Sequence, residues 1–191
     1  STTRRAAARV LEEEVTRELS DLAMEGARIE FEWTPFDDLG ATGLDRVAVR
    51  IATNHGDSLR PIEKVASGGE RSRVLLALKG VLADANEVPI AIFDEIDSGV
   101  GGMVAESVGR KLRALSRSAQ VLAITHLAPV AAMGHHHQVV EKEVLSGQAS
   151  TSVRSVDGEP RLAEIARMLG GSRDSRGATD HARDLLQLSQ S

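Results

Sequence analysis

The chain has 191 residues, with 23 Lys and Arg against 28 Asp and Glu, for a formal net charge of −5. That acidic balance argues against broad nucleic-acid binding by this segment as a whole, and the absence of cysteine excludes disulfides and thiolate metal sites. The aromatic residues are Phe31, Trp33, Phe36 and Phe93 alone, too few for a base-stacking platform, so Leu, Val, Ile and Ala must form the core.

No apolar run approaches membrane-spanning length, and the N-terminus lacks a charged-then-apolar leader, so the chain reads as cytosolic. Residues 3–25 show a helical stripe of Ala8, Leu11, Val15, Leu19 and Leu22. The stripe fits an amphipathic helix on a core, or the end of a coiled coil entering a domain. Because it begins without a cap, the sequence reads as a piece of something longer. Strands are expected over 28–33 and 44–54, the second because Val47, Val49 and Ile51 alternate with Ala48 and Arg50. Residues 35–43 between them read as a loop, and the two strands as an antiparallel layer.

The pattern then changes. Ser67-Gly68-Gly69-Glu70 leads into Val74-Leu75-Leu76-Ala77-Leu78, a helix apolar almost all round and therefore expected to be largely buried. Ile90-Ala91-Ile92-Phe93 reads as a strand buried on both faces, followed by a turn with Gly99, Gly101 and Gly102 and a helix over 104–115. A second buried strand is expected over 120–125, ending at His126, with a short helix over 130–133. Helix, strand, helix, strand at this spacing predicts parallel pairing with crossover helices. Beyond it come a strand pair (138–144 and 150–156) around Ser146-Gly147, a helix over 162–169 closed by Gly170-Gly171, a polar linker over 172–177 and a last helix over 182–188.

Four features carry chemistry. Ser67-x-x-Glu70 is a capping box, which accounts for Ser67 and Glu70. It does not account for Gly68 and Gly69, which weaken a first helical turn but let another molecule approach amides suited to phosphate. Asp94 and Glu95 follow an apolar strand, where desolvation makes unneeded charge costly. Such a pair suits a Mg²⁺ ion, held by Asp94, and a water polarised by Glu95 as general base. Asp97 lies in the next turn, fit to cap a helix or to make a contact across an interface. His126 ends the second strand at the same sheet edge if the strands are parallel, where it could hydrogen-bond a terminal phosphate. His135, His136 and His137 would point to opposite faces of an extended chain and make a poor single metal site, and Arg110, Arg113 and Arg117 share what reads as a solvated helix face.

Taken in order, Ser67-Gly68-Gly69-Glu70, Ile90 to Glu95, Asp97-Ser98-Gly99 and Thr125-His126 resemble the signature motif, Walker B, D-loop and switch histidine of an ABC-type ATPase. The wording around them, from Lys64 to Glu70, Phe93 to Val100 and Ile124 to Leu127, is similar to the RecN family of SMC-like ATPases that act in bacterial DNA double-strand break repair. The resemblance covers essentially the whole chain.

It implies an α/β fold: an ABC-ATPase head lobe with a mainly parallel sheet flanked by helices, an antiparallel β portion and an N-terminal helix ending a coiled coil. In that scheme residues 1–26 are the arm and 27–191 the C-terminal lobe of the head. ATP and Mg²⁺ are the implied cofactors. Asp94, Glu95 and His126 would act on the nucleotide of their own head, while Ser67, Gly68, Gly69, Glu70 and Asp97 would serve binding, Ser67, both glycines and Asp97 reaching the nucleotide of the opposing head. The implied partners are an N-terminal lobe carrying Walker A, a second head and DNA through the full-length protein, in the cytoplasm at the nucleoid. No Gly-x-x-x-x-Gly-Lys-Ser/Thr occurs in the sequence, so the segment by itself is expected not to turn over ATP. The rival readings are the ATPase lobe of another SMC-like or ABC-type protein and a non-catalytic dimerisation module.

Overall fold

The computed structural model describes residues 2–41, 43–65, 67–83, 89–145, 148–170 and 175–189. They fall into two compact units, residues 1–124 and 125–191.

The first unit begins with helix α1 (Thr2–Ser20). It stops short of the expected residue 25 because the Leu22 and Met24 amides both turn back to the Leu19 carbonyl, at 3.0 and 3.1 Å, and Ala23 takes a left-handed φ of 57°. Strands β1 (Arg28–Gly40) and β2 (Gly43–Ala52) pair antiparallel from Arg28↔Ala52 to Pro35↔Asp45, and close at Gly40↔Gly43. The expected loop over 35–43 is therefore largely strand. β2 reaches back far enough to give the continuing chain a partner, and the register shift between Pro35 and Gly40 accommodates a proline that has no N–H to donate. The alternation read at Val47, Val49 and Ile51 buries only Ile51 fully, and the acidic Asp45 is buried nearby. Arg4 and Arg5 of α1 reach that carboxylate at 3.3 and 3.4 Å, and Arg5 lies 4.7 Å over the Trp33 ring. A two-residue strand, β3 (Arg60–Pro61), completes this sheet beside Arg50 and Ile51.

After a 3-10 turn (Ile62–Lys64) comes α2 (Gly68–Val81), then β4 (Ile90–Phe93), α3 (Gly102–Leu115) and β5 (Gln120–Ala123). β4 and β5 pair parallel in register, from Ile90↔Gln120 to Phe93↔Ala123, as the helix–strand alternation predicts. Among the described residues the parallel portion comprises these two strands, and the other paired strands are antiparallel. Neither β4 nor β5 is buried on both faces: Ala91 and Phe93 are buried, whereas Ile90 is 50% and Ile92 64% exposed. One sheet face meets the apolar interior; the described residues lay nothing over the other. Likewise α2 is not apolar-buried all round, since Leu75 points outward while Val74, Leu76 and Ala77 point in.

The second unit contains α4 (Ala128–Ala132), an antiparallel ribbon of β6 (His137–Leu145) and β7 (Gln148–Val156), α5 (Gly158–Met168) and α6 (Arg176–Leu188). Its core joins Ala128, Ala132, Leu162, Ile165, Ala166, Ala182 and Leu185. α5 begins earlier than expected because Asp157 Oδ1 accepts the Gly158 amide at 2.8 Å, and Gly170 ends it with a φ of 79°. α6 also begins earlier, behind a Ser175 cap, so the expected linker is shorter at its far end. The turn at Ser146-Gly147, Gly171 and residues 172–174 lie outside the described residues.

Candidate functional site

Ser67 stands at the N-cap of α2 with extended backbone, and its Oγ accepts the Glu70 amide at 3.4 Å, as the capping box requires. The first amides of a helix have no carbonyl partner within it, and here they belong to glycines. The loop after β4 folds directly against this turn. A Cβ on Gly68 would lie 2.5 Å from Glu95 Oε2, and one on Gly69 would meet the Glu95 and Ser98 carbonyl oxygens at 3.0 Å. Gly69 is thus packed against the backbone of the Asp94–Gly99 loop, which occupies the space a side chain needs, whereas Gly68 meets only the end of the Glu95 side chain. Glu95 itself has a φ of 55°, a left-handed turn that an L residue adopts at a cost, and the Ser98 amide closes the bend onto its carbonyl at 2.9 Å.

Three contacts fix that loop to α2. Ser72 Oγ donates to the Asp94 carbonyl at 2.7 Å, and Arg73 Nη1 donates to the carbonyls of Ile96 and Ser98 at 3.4 and 2.9 Å. Arg73 is 6% exposed. Burial pulls its guanidinium below the ordinary arginine pKa, and the charge of Glu70 opposes the shift. Sequence reasoning missed both Ser72 and Arg73. The signal was available: Arg73 is four residues after Gly69 and four before Ala77, on the stripe that faces the interior.

The structure therefore gathers Ser67, Gly68, Gly69, Glu70, Asp94, Glu95 and Asp97 on one helix turn and one loop. Asp94 and Glu95 are exposed, and with Gly68, Arg71, Ser72 and Leu75 they line a depression of about 270 Å³. Asp97 is 3% exposed and does not cap α3, whose N-cap is Gly101. His126 belongs to the second unit, where it is exposed just before α4, and Thr125 Oγ1 accepts the Leu127 amide at 3.0 Å beside it. His135 and His136 are exposed and His137 half-buried at the start of β6. No cluster of three or more His, Cys, Asp or Glu suited to a metal is found among the described residues. Arg110 pairs with Glu106, but Lys111 on the same helix turns to Glu18 of α1 and to Asp21 just after it, at 2.5 and 3.0 Å. No helix among the described residues is long and apolar enough to cross a membrane.

No family model matches the chain. The DNA repair protein RecN of Deinococcus radiodurans is 45% identical over 168 residues, which is 88% of this chain and 29% of that protein. Other bacterial proteins of that name are 38% to 48% identical. Over most of its length the chain is homologous to RecN. It spans about a third of the length of the RecN proteins it matches. Among solved structures, the Smc head domain with a coiled coil and joint from Pyrococcus yayanosii aligns with a TM-score of 0.59 at 19% identity, over 86% of this chain and 30% of that one. A chain from work on ATP-driven dimerisation and DNA-stimulated activation of SMC ATPases aligns at 0.50 with 16% identity, over 90% of this chain and 98% of that one. These likenesses show the fold, which is the mixed α/β fold found in SMC heads.

Proposed function

We propose that this chain is the C-terminal lobe of an ATP-hydrolysing, SMC-like head in a protein of DNA double-strand break repair. In this reading residues 1–26 end a coiled-coil arm and residues 27–191 form the lobe. The observation that carries it is the packing of the Ser67-capped glycine turn against the Asp94–Gly99 loop at the carboxyl end of β4. A helix terminus that receives phosphate and a carboxylate pair that handles a cation and a water are thus parts of one assembly. Homology to RecN and the SMC-head fold agree with it.

The donor set fits Mg²⁺, which takes one or two carboxylates and completes its shell with phosphate oxygens and water rather than filling an all-protein cage. Exposed Asp94 is the residue to hold it. Bound Mg²⁺ would neutralise charge on the ATP phosphates. Glu95 Oε2 would accept the proton of the attacking water. Ser67 and the amides of Gly68 and Gly69 would face the nucleotide of a second, identical head, and Glu70 supports their turn. His126 would donate to, or sense, the terminal phosphate. In the conformation described, the Glu95 carboxylate lies over Gly68, so engaging two nucleotides requires that side chain to swing off the glycine turn. The phosphate cradle would come from an N-terminal lobe carrying Walker A, and DNA would be engaged through the full-length protein. A cytoplasmic, nucleoid-associated location follows from that role.

The test is ATP turnover by the full-length protein. Glu95→Gln should reduce it at least a hundredfold while ATP-bound dimers accumulate, because removing a general base costs roughly 10²–10⁴ in rate. Unchanged turnover excludes Glu95 as the base.

A further inference from the structure

The carbonyls of the loop after β4 are gripped at alternate residues. Those of Asp94, Ile96 and Ser98 accept from Ser72 Oγ or Arg73 Nη1, all on α2. The residues between them are Glu95, the proposed base, and Asp97, assigned to the opposing head's nucleotide. The helix turn immediately before Ser72 carries Gly68 and Gly69, which press on the same loop from the other end. Arg73 is the only one of these contacts that spans two carbonyls. It is also buried, and its Nε has no hydrogen-bond partner among the described residues. A guanidinium placed in a helix's interior stripe costs desolvation. Leucine or methionine would fill the stripe without that cost, but would leave the Ile96 and Ser98 carbonyls without this donor. Both bonds leave one nitrogen, Nη1, whose N–H directions are fixed in the guanidinium plane; an ammonium on a flexible stem fixes the direction of its donors less well.

We propose that Arg73 is a positioning residue: it makes α2 and the Asp94–Gly99 loop move as one body, so that contact of Ser67–Gly69 with the opposing head's nucleotide sets where Glu95 stands. Arg73 touches neither nucleotide nor water in this scheme. It acts through the loop, and Ser72 assists at Asp94. The inference rests on the reading of Glu95 as base and of the glycine turn as the surface facing the second head. It adds to that reading a physical connection between the two, located on one side chain.

The experiment measures steady-state ATP turnover, KM and ATP-dependent dimer formation for the full-length protein with Arg73→Met, Arg73→Lys, Ser72→Ala and, in parallel, Glu95→Gln. Arg73→Met keeps length and apolar packing and removes the fork. Its kcat is expected to fall tenfold or more, with KM changed less than threefold and dimers still forming with ATP. Arg73→Lys should recover part of the lost kcat, and Ser72→Ala, a half-buried position where folding is not at stake, should lower kcat two- to fivefold at unchanged KM. A merely structural arginine would instead lower the folded fraction and leave kcat per folded head and KM alone. If Arg73→Met does not fold, the Lys and Ala variants carry the decision by the same kcat-against-KM split. Wild-type kcat in the Arg73 and Ser72 variants, with Glu95→Gln inactive, overturns the positioning role and leaves the base assignment standing. Full turnover with Glu95→Gln overturns both.

Discussion

A methyl group added to Gly69 would lie 2.9 Å from the Ser98 Cβ and 3.0 Å from two backbone oxygens, none of which can move without shifting the loop that carries Glu95. A methyl on Gly68 would meet only the end of the Glu95 side chain, which can swing away. The two glycines are adjacent in sequence, yet their replacement should have different costs. Gly69→Ala is expected to destabilise the chain by about 1–3 kcal/mol, the usual penalty for overpacking against rigid neighbours. Gly68→Ala should stay within ~0.5 kcal/mol of wild type, because alanine's better helix propensity offsets the displaced carboxylate. Urea unfolding of both variants checks this, and equal losses would mean that the loop is not packed on Gly69 as described. At this scale the sequence shows glycines where a ligand could approach but not that part of the same chain already fills the space. That a capping box stood at Ser67 was legible, because capping is a local matter of four residues. The buried Arg73 was not read, because a charged residue counts as polar in any periodicity scan even when it faces inward.

Elements marked by apolar runs, glycine turns or a full capping box were read closely, and those whose bounds rest on a partner strand or a single capping residue were not. α2, α3, β4 and β5 follow from capping, apolar runs and glycine turns. The extension of β1 through Pro35 and the early starts of α5 and α6 depend on what β2, Asp157 and Ser175 supply from outside the scanned window. The three histidines show the same split. Read as a tract they are featureless, but His137 at the start of β6 is half-buried with its Nδ1 enclosed and unpartnered. Burial lowers its pKa first, the nearby Arg161 guanidinium adds to this, and Glu164 opposes it. Arg161 is held in place by donating to the carbonyls of Ala131, Ala132 and Gly134 at 3.5, 3.1 and 2.6 Å. As pH falls below the ordinary histidine value of 6.5, the unfolded chain therefore takes up a proton at His137 before the folded chain does. Stability contributed by neutral His137 is full above that pH and declines below it. Glu164, whose pKa is lowered chiefly by its hydrogen bond from Arg167, acts with the same sign but only below its ordinary 4.5. Thermal unfolding at pH 5 and pH 7.5 should show a larger acid loss for wild type than for His137→Gln. Equal losses would assign the acid sensitivity elsewhere.

For the whole molecule, the most informative misreading concerns β4 and β5. The sequence writes them as strands covered on both faces, and such apolar runs belong to parallel sheets with cover on each side. In this chain Ile90, Ile92, Leu122 and Ile124 are exposed instead, all within the first unit. The expectation and the structure agree if the residues that cover this face lie in the part of the polypeptide beyond this segment, which spans about a third of its RecN relatives. The missing Walker A leads to the same place: the piece that holds phosphate and the piece that covers the sheet are, in this account, one lobe. Ile92 is 64% exposed and central to the bare face, so it tests the idea at small cost to the fold. Burying an isoleucine side chain is worth roughly 1.5–3 kcal/mol, and replacing it with a carboxylate adds desolvation to the loss. Ile92→Asp should therefore weaken association with a separately supplied Walker A-bearing lobe by at least about tenfold, while circular dichroism of the isolated chain stays unchanged. Val140→Asp provides the control, being 67% exposed on the β6–β7 ribbon of the second unit and outside the bare sheet face. Titration calorimetry with the two lobes distinguishes the cases: loss of affinity at Ile92 but not Val140 places the missing lobe on the parallel strands, and equal affinities would separate the bare sheet from the missing nucleotide cradle.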